Sequence, residues 1–215
     1  MAKLVWDTAG QHWFETGVDH GVLYPMNEGG SGYAAGVAWN GLVSVSESPD
    51  GAEESAIYAD NIKYLSLRSV ENFNATIEAY TYPDEFGECD GSASLADGIT
   101  IGQQARKAFG FSYRTRKGND LNPEAGYVIH LIYGATASPS ERSYQTVNDS
   151  PEAITFSWEI KTTPIEVTGH KPTAHLEIDS TKVDPSKLTL IEEKLYGGTA
   201  AAALPTPDEI IALLA

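Results

Sequence analysis

Hydrophobic and polar residues alternate with a period of two along most of this chain, which is the pattern of strands that bury one face. The clearest run spans residues 154–161, where Ile154, Phe156, Trp158 and Ile160 share one side and Thr155, Ser157, Glu159 and Lys161 the other. Ala174, Leu176 and Ile178 alternate with His175, Glu177 and Asp179 in the same way. Further strands are predicted over residues 18–24, 36–46, 62–67, 75–82, 108–114 and 127–133. The last is apolar on nearly both faces, which places it in the middle of a sheet.

Helical signals gather near the C-terminus. Asp184 reads as an N-cap before Pro185, and Leu188, Ile191 and Leu195 follow at helical spacing until Gly197 and Gly198 stop the run. Thr206, Pro207 and Glu209 form a capping-box start for Ile210, Ile211, Leu213 and Leu214. That short apolar helix needs a cover, supplied by its own domain or by a neighbouring subunit. A weaker helical turn is expected after Pro83, through Asp84, Glu85 and Phe86. Three connections look longer than hairpin turns: a Gly-rich one at 27–35, an acidic one at 47–60 and a small, polar one at 87–98; loops of that length are usually functional or disordered. No linker or internal repeat divides the chain. The expectation is a single, mainly β domain over 1–215, with an N-terminal arm (1–17), a long acidic loop (47–60), a flanking helix, and a C-terminal tether and helix (199–215).

Charge narrows the function. The net charge is −16, and residues 1–105 carry 16 acidic against 3 basic side chains. Such a surface repels phosphates and argues against a nucleic-acid binder. The single cysteine, Cys89, excludes an internal disulfide and fits a reducing cytosol. The opening MAKLVWDTAG has no basic segment followed by an apolar one, and no apolar run approaches the roughly 20 residues of a membrane span. Glycosylation-like triplets at Asn74 and Asn148 therefore carry little weight.

No catalytic pattern emerges. Gly29-Gly30-Ser31-Gly32 lacks the Gly-Lys-Ser/Thr of a phosphate loop, and Tyr33 replaces the last glycine of a nucleophile elbow. Asp84, Glu85, Glu88, Cys89 and Asp90 match no calcium or zinc spacing. Among the histidines His12, His20, His130, His170 and His175 there is no H-E-x-x-H helix; His170 and His175 could meet across a bend, but two ligands leave a zinc site incomplete. Cys89 as a nucleophile would need a fold-placed base, and an inert thiol is the plainer reading. The expectation is a non-enzyme without catalytic, cofactor or metal residues. Residues 106–117 hold Arg106, Lys107, Arg114, Arg116 and Lys117. Interleaved Phe109, Phe111 and Tyr113 would suit stacking on single strands, but their alternation reads better as the core face of a strand with a basic outer face. That basic surface would complement another copy's acidic loop, carrying Glu47, Asp50, Glu53, Glu54 and Asp60. Trp6 and Trp13 are candidate contacts of the N-terminal arm.

A chain-long series of segments resembles the phage tail tube family, the major tail proteins of long-tailed phages and prophages of Gram-positive bacteria. The segments are ETGVDHGVLYP (15–25), GVAWNGL (36–42), YADNIKY (58–64), TIEAYTYPDEF (76–86), IGQQ (101–104), FGFSYRT (109–115), GYVIHLIYG (126–134), VNDSPEAITFSWEI (147–160) and PDEIIALLA (207–215). The resemblance implies a β-sandwich or half-barrel with a flanking helix, assembling into hexameric rings that stack around a channel. It implies a virion location after synthesis in the host cytoplasm, and as partners other copies of the chain, a tape measure protein, a tail terminator and distal tail or baseplate proteins. DNA would pass through without specific binding, along an acidic lumen or past an acidic inter-ring loop. Some relatives append an immunoglobulin-like domain, for which this chain leaves no room before Ala215. The rival expectations are a monomeric β-sandwich binding module for a carbohydrate or receptor, and a hydrolase with an unrecognised site.

Overall fold

The alternating segments become antiparallel strands in the computed structural model of the protein, which describes residues 3–147, 149 and 153–214. In chain order the strands are β1 (Trp13–Pro25), β2 (Val37–Trp39), β3 (Leu42–Glu47), β4 (Asp50–Gly51), β5 (Glu54–Ala59), β6 (Ile62–Arg68), β7 (Glu71–Asn72) and β8 (Asn74–Ala79). After a 3-10 turn at Asp84–Phe86 and a one-turn helix α1 (Gly87–Asp90) come β9 (Ala93–Ala96), β10 (Ile99–Ile101), β11 (Phe109–Asn119), β12 (Gly126–Ala137), β13 (Phe156–Thr162) and β14 (His175–Asp179). Helices α2 (Pro185–Tyr196) and α3 (Pro207–Leu214) follow.

The main sheet runs β2-β1-β11-β12-β13-β8-β3, with β14 added on β12. Its two ends are neighbours in sequence: only Asn40 and Gly41 separate β2 from β3, so the sheet must curl until the ends meet. Gly41 makes the corner at φ +76, and Tyr80 N donates to its carbonyl at 2.8 Å. Across the seam a side chain at Gly21 of β1 would place its Cβ 2.5 Å from Leu42 of β3, so glycine permits the close approach. The predicted strand 36–46 is thus two strands at opposite ends of a barrel-like sheet.

β12 forks the sheet. Val128–Ile132 pairs with β14, whereas Ala135–Ala137 pairs with β13, and Gly134 at φ +58 turns the strand between the two partners. This explains why 127–133 is apolar on both faces. Ile132 and Ala135 face an interior packed with Trp39, Phe86, Phe111 and Trp158. Ile129, Leu131 and Tyr133 face outward, beneath Leu188, Ile191 and Leu195 of α2 and Ile210 of α3. The aromatic interior is built edge-on, with Trp39–Trp158 at 5.5 Å and 71° and Phe86–Trp158 at 5.1 Å and 77°, the arrangement that ring quadrupoles favour.

Both C-terminal helices start as their caps predict. Asp184 accepts from Ser186 N and Lys187 N. Thr206 and Glu209 exchange hydrogen bonds at 3.1 and 3.2 Å in a reciprocal capping box. α3 docks on its own domain, and the stretch before it is pinned by Gly36 N to Ala202 O (2.9 Å) and Ala203 N to Lys194 O (2.8 Å). Two buried tyrosine hydroxyls reach carbonyls of the C-terminal region: Tyr24 donates to Leu195 O of α2 at 2.8 Å and Tyr133 to Pro205 O at 3.0 Å.

Three expectations need correction. Residues 47–60 are not a loop, since β4 and β5 lie within them. The arm 1–17 is shorter, because Trp13–Gly17 already belongs to β1. The connection 87–98 contains α1 and the first strand of the small β9–β10 hairpin. Ile154 lies just outside β13, and Asn148 falls outside the described residues. No helix among the described residues is long and apolar enough to cross a membrane.

Candidate assembly surfaces

Residues 50–72 form a hairpin arm. Its root is the β3–β8 pair, continued by Ser48 N to Asn74 O (2.8 Å) and by the β4–β7 pairing of Asp50 with Asn72. The arm then extends through β5 and β6, from Glu54 opposite Arg68 to Ala59 opposite Ile62. Asp60 and Asn61 close it at φ 51 and 62, the two positive values that a type I′ turn requires. The ten residue-to-residue steps from Asp50 to Asp60, at about 3.3 Å each, reach roughly 30 Å from the root. No core backs this ladder. Ile57, Tyr58, Ile62, Tyr64, Leu65, Leu67 and Val70 are all exposed, Tyr58 at 70% and Tyr64 at 67%.

The candidate acidic residues are divided by this arrangement. Glu54 is neutralised across the hairpin, accepting from Lys63 and from Ser66 Oγ at 2.6 Å, with Arg68 at 3.8 Å. Asp50 accepts from the adjacent Gly51 N at 2.7 Å, Glu53 is exposed, and Asp60 is a turn residue. Glu47, at the end of β3, turns away from the arm. It accepts from Tyr113 at 2.5 Å, and its Oε1 lies 3.5 Å from His130 Nδ1 and 3.4 Å from His175 Nε2.

The candidate basic surface is not one patch. Arg114 is bound by Asp19 at 2.8 Å and lies over the Tyr127 ring at 4.5 Å. Lys117 reaches Asp179 at 2.5 Å, Lys107 reaches Glu88 at 3.0 Å, and Arg106 donates to Ala137 O at 2.8 Å. Only Arg116, 3.4 Å from Asp19, keeps a largely exposed side chain among the ion-paired residues of β11. Arg106, Lys107, Arg114 and Lys117 are thus engaged within the chain, and Arg116 is the most exposed of the five cations expected to complement a neighbour's acidic loop. The alternation reading of Phe109, Phe111 and Tyr113 holds: all three are buried core. Cys89 is buried as well, and burial pushes its thiol up to about 12, so it stays protonated at neutral pH.

Two further surfaces are open. The forked half of the sheet, β1–β11–β12–β14, ends at Trp13–Asp19 of β1 on one side and at β14 on the other. Among the described residues neither edge pairs with another strand. The N-terminal arm is held at the end of β11, where Gly10 N donates to Asp120 and Asn119 Nδ2 to Gly10 O, with Leu4, Val5 and Trp6 more than 70% exposed, whereas Trp13 is half-exposed under Lys117, 5.2 Å from its ring.

No protein-family model matches the chain, and no curated protein matches it. Among solved structures, it is similar to a chain of the anti-feeding prophage (AFP) baseplate, 6-fold symmetrised, at 9% identity and a TM-score of 0.37, covering 83% of this chain and 100% of that chain. It is also similar to a chain of the sheath-tube complex of an extracellular contractile injection system, PVC, in the extended state, at 11% identity and a TM-score of 0.32, covering 74% and 88%. Both TM-scores lie below 0.5, so the chain's own surfaces must carry its functional assignment.

Proposed function

We propose that this chain is a structural, non-catalytic subunit of a phage-type tail tube, in which copies join edge to edge into rings and the rings stack. The observation that carries this reading is the hairpin arm: a two-stranded arm exposing seven large apolar side chains has no independent stability in water, so it needs a neighbour to lie on. The two open edges of β1–β11–β12–β14 supply a second, head-to-tail contact, since a strand edge is satisfied by another strand. The sequence segments resembling tail tube proteins support a sixfold ring with a tape measure protein inside during assembly, and a terminator and baseplate proteins at its ends.

The test uses the pairing at the root. Replacing residues 52–70 with an Asn-Gly turn leaves the β4–β7 pairing to close the chain. The expected product has the melting temperature of the parent and no longer forms hollow tubes under negative stain at high concentration. Normal tubes from this variant would refute the role given to the arm. A parent chain that stays a single small species at high concentration, with or without a tail extract, would favour the monomeric binding module instead.

A further inference from the structure

Glu47, His130 and His175 come from β3, β12 and β14, and one ligand atom of each lies close to the other two. His130 Nδ1 lies 3.4 Å from His175 Nε2, and Glu47 Oε1 lies 3.5 and 3.4 Å from those two nitrogens. Ligands held at about 2.0–2.1 Å in a tetrahedral shell are separated by about 3.3–3.4 Å. The edges of the triangle therefore match one face of such a shell. We propose that these three residues form a divalent transition-metal site of the zinc class, which staples β3 to the β12–β14 pair.

The surroundings prepare the ligands. Thr115 Oγ1 donates to Glu15 Oε2 at 2.9 Å, so toward His130 Nε2, 3.1 Å away, it can only accept. The His130 proton is thereby held on Nε2, and Nδ1 presents its lone pair to the site. Stacking fixes both planes: Tyr113 lies on His130 at 4.6 Å and 2°, and Phe73 on His175 at 4.4 Å and 14°. The Tyr113 hydroxyl anchors the Glu47 carboxylate. Glu177 Oε1 lies 3.9 Å from His130 Nδ1, on a side chain that is 59% exposed.

The experiment titrates Zn2+ into chelator-treated, full-length protein by calorimetry, with metal analysis after dialysis. One Zn2+ per chain is expected, and Co2+ in its place should give the intense visible bands of a tetrahedral centre. His175→Gln and Glu47→Gln should each weaken binding more than tenfold, Thr115→Val about tenfold, and His170→Gln not at all. At a hundredfold excess over Kd the metal should raise the melting temperature by about 5–10 °C. Should the variants fail to fold, nitrogen-15 spectra of the wild-type imidazoles decide: two of the five rings should respond to Zn2+, one through Nδ1 and one through Nε2. Substoichiometric binding, unaltered affinity in both ligand variants, or a response confined to other histidines would overturn the site.

Discussion

Asp19 sits between Arg114 Nε at 2.8 Å and Arg116 Nε at 3.4 Å, and also accepts from His20 at 2.8 Å. Burial alone would raise its pKa, but the hydrogen bonds from Arg114 and His20 outweigh burial and hold it below the usual 3.8. A carboxyl depressed in the folded state contributes stability above its unfolded value and loses it as pH falls through the folded one. Asp19→Asn should therefore cost about 2 kcal/mol at pH 7, the worth of a charge-assisted hydrogen bond. The gap should close as pH falls below the unfolded value of about 4 and through the depressed folded one, as read from urea midpoints of the two proteins. A gap that persisted at low pH would assign the loss to packing. Trp158 is the opposite case, because its indole N–H is buried with no hydrogen-bond partner among the described residues. Trp158→Phe forfeits ring volume but no hydrogen bond and should cost about 1 kcal/mol, whereas Trp158→Ala should cost about 3–5 kcal/mol in the same assay. Equal losses would mean that the N–H is satisfied in solution.

Elements whose pattern is enforced by a core or a cap were legible in the sequence. β13 showed itself through Phe156, Trp158 and Ile160, α3 through the Thr206–Glu209 box, and β12 through apolar residues on both faces, once the helices are seen to cover its outer side. The hairpin arm was only half legible: 62–67 reads as a strand, but β5 opens on Glu54 inside the stretch read as an acidic loop, and its apolar side chains face solvent. The Asp60-Asn61 pair, residue types that tolerate the positive φ of a two-residue hairpin turn, is the local signal that could have found it. The closure of β2 onto β3, and the meeting of residues 47, 130 and 175, depend on strand register across the whole barrel, which spacing in the chain does not encode. The turn itself is testable. Asn tolerates φ 62, whereas a β-branched residue there is strained by about 1–2 kcal/mol. Asn61→Val should speed hydrogen exchange of the 54–68 amides severalfold while leaving β11 and β12 protected, and uniform loss of protection would show that the arm and the barrel unfold together.

At the scale of the whole molecule, the sign of the electrostatics follows from where the cations go. Each copy carries −16, and Arg106, Lys107, Arg114 and Lys117 are already engaged by partners of their own chain. Six copies in a ring would hold on the order of −100 charges with little exposed basic surface to meet them. Association must then be driven by apolar arm residues and strand edges, and opposed by long-range repulsion. Raising NaCl from about 20 to about 300 mM shortens the screening length from roughly 20 Å to roughly 6 Å, which weakens the repulsion and leaves apolar contact intact. Tube formation, followed by light scattering and checked by negative stain, should therefore become faster and more complete with salt. Tyr58→Glu with Leu67→Glu should abolish this response without lowering the melting temperature by more than a degree or two, because both side chains are exposed in the monomer. If salt instead dissolved the tubes, charge complementarity between copies would be the dominant attraction, and the ion pairs described within the chain would have to open on assembly.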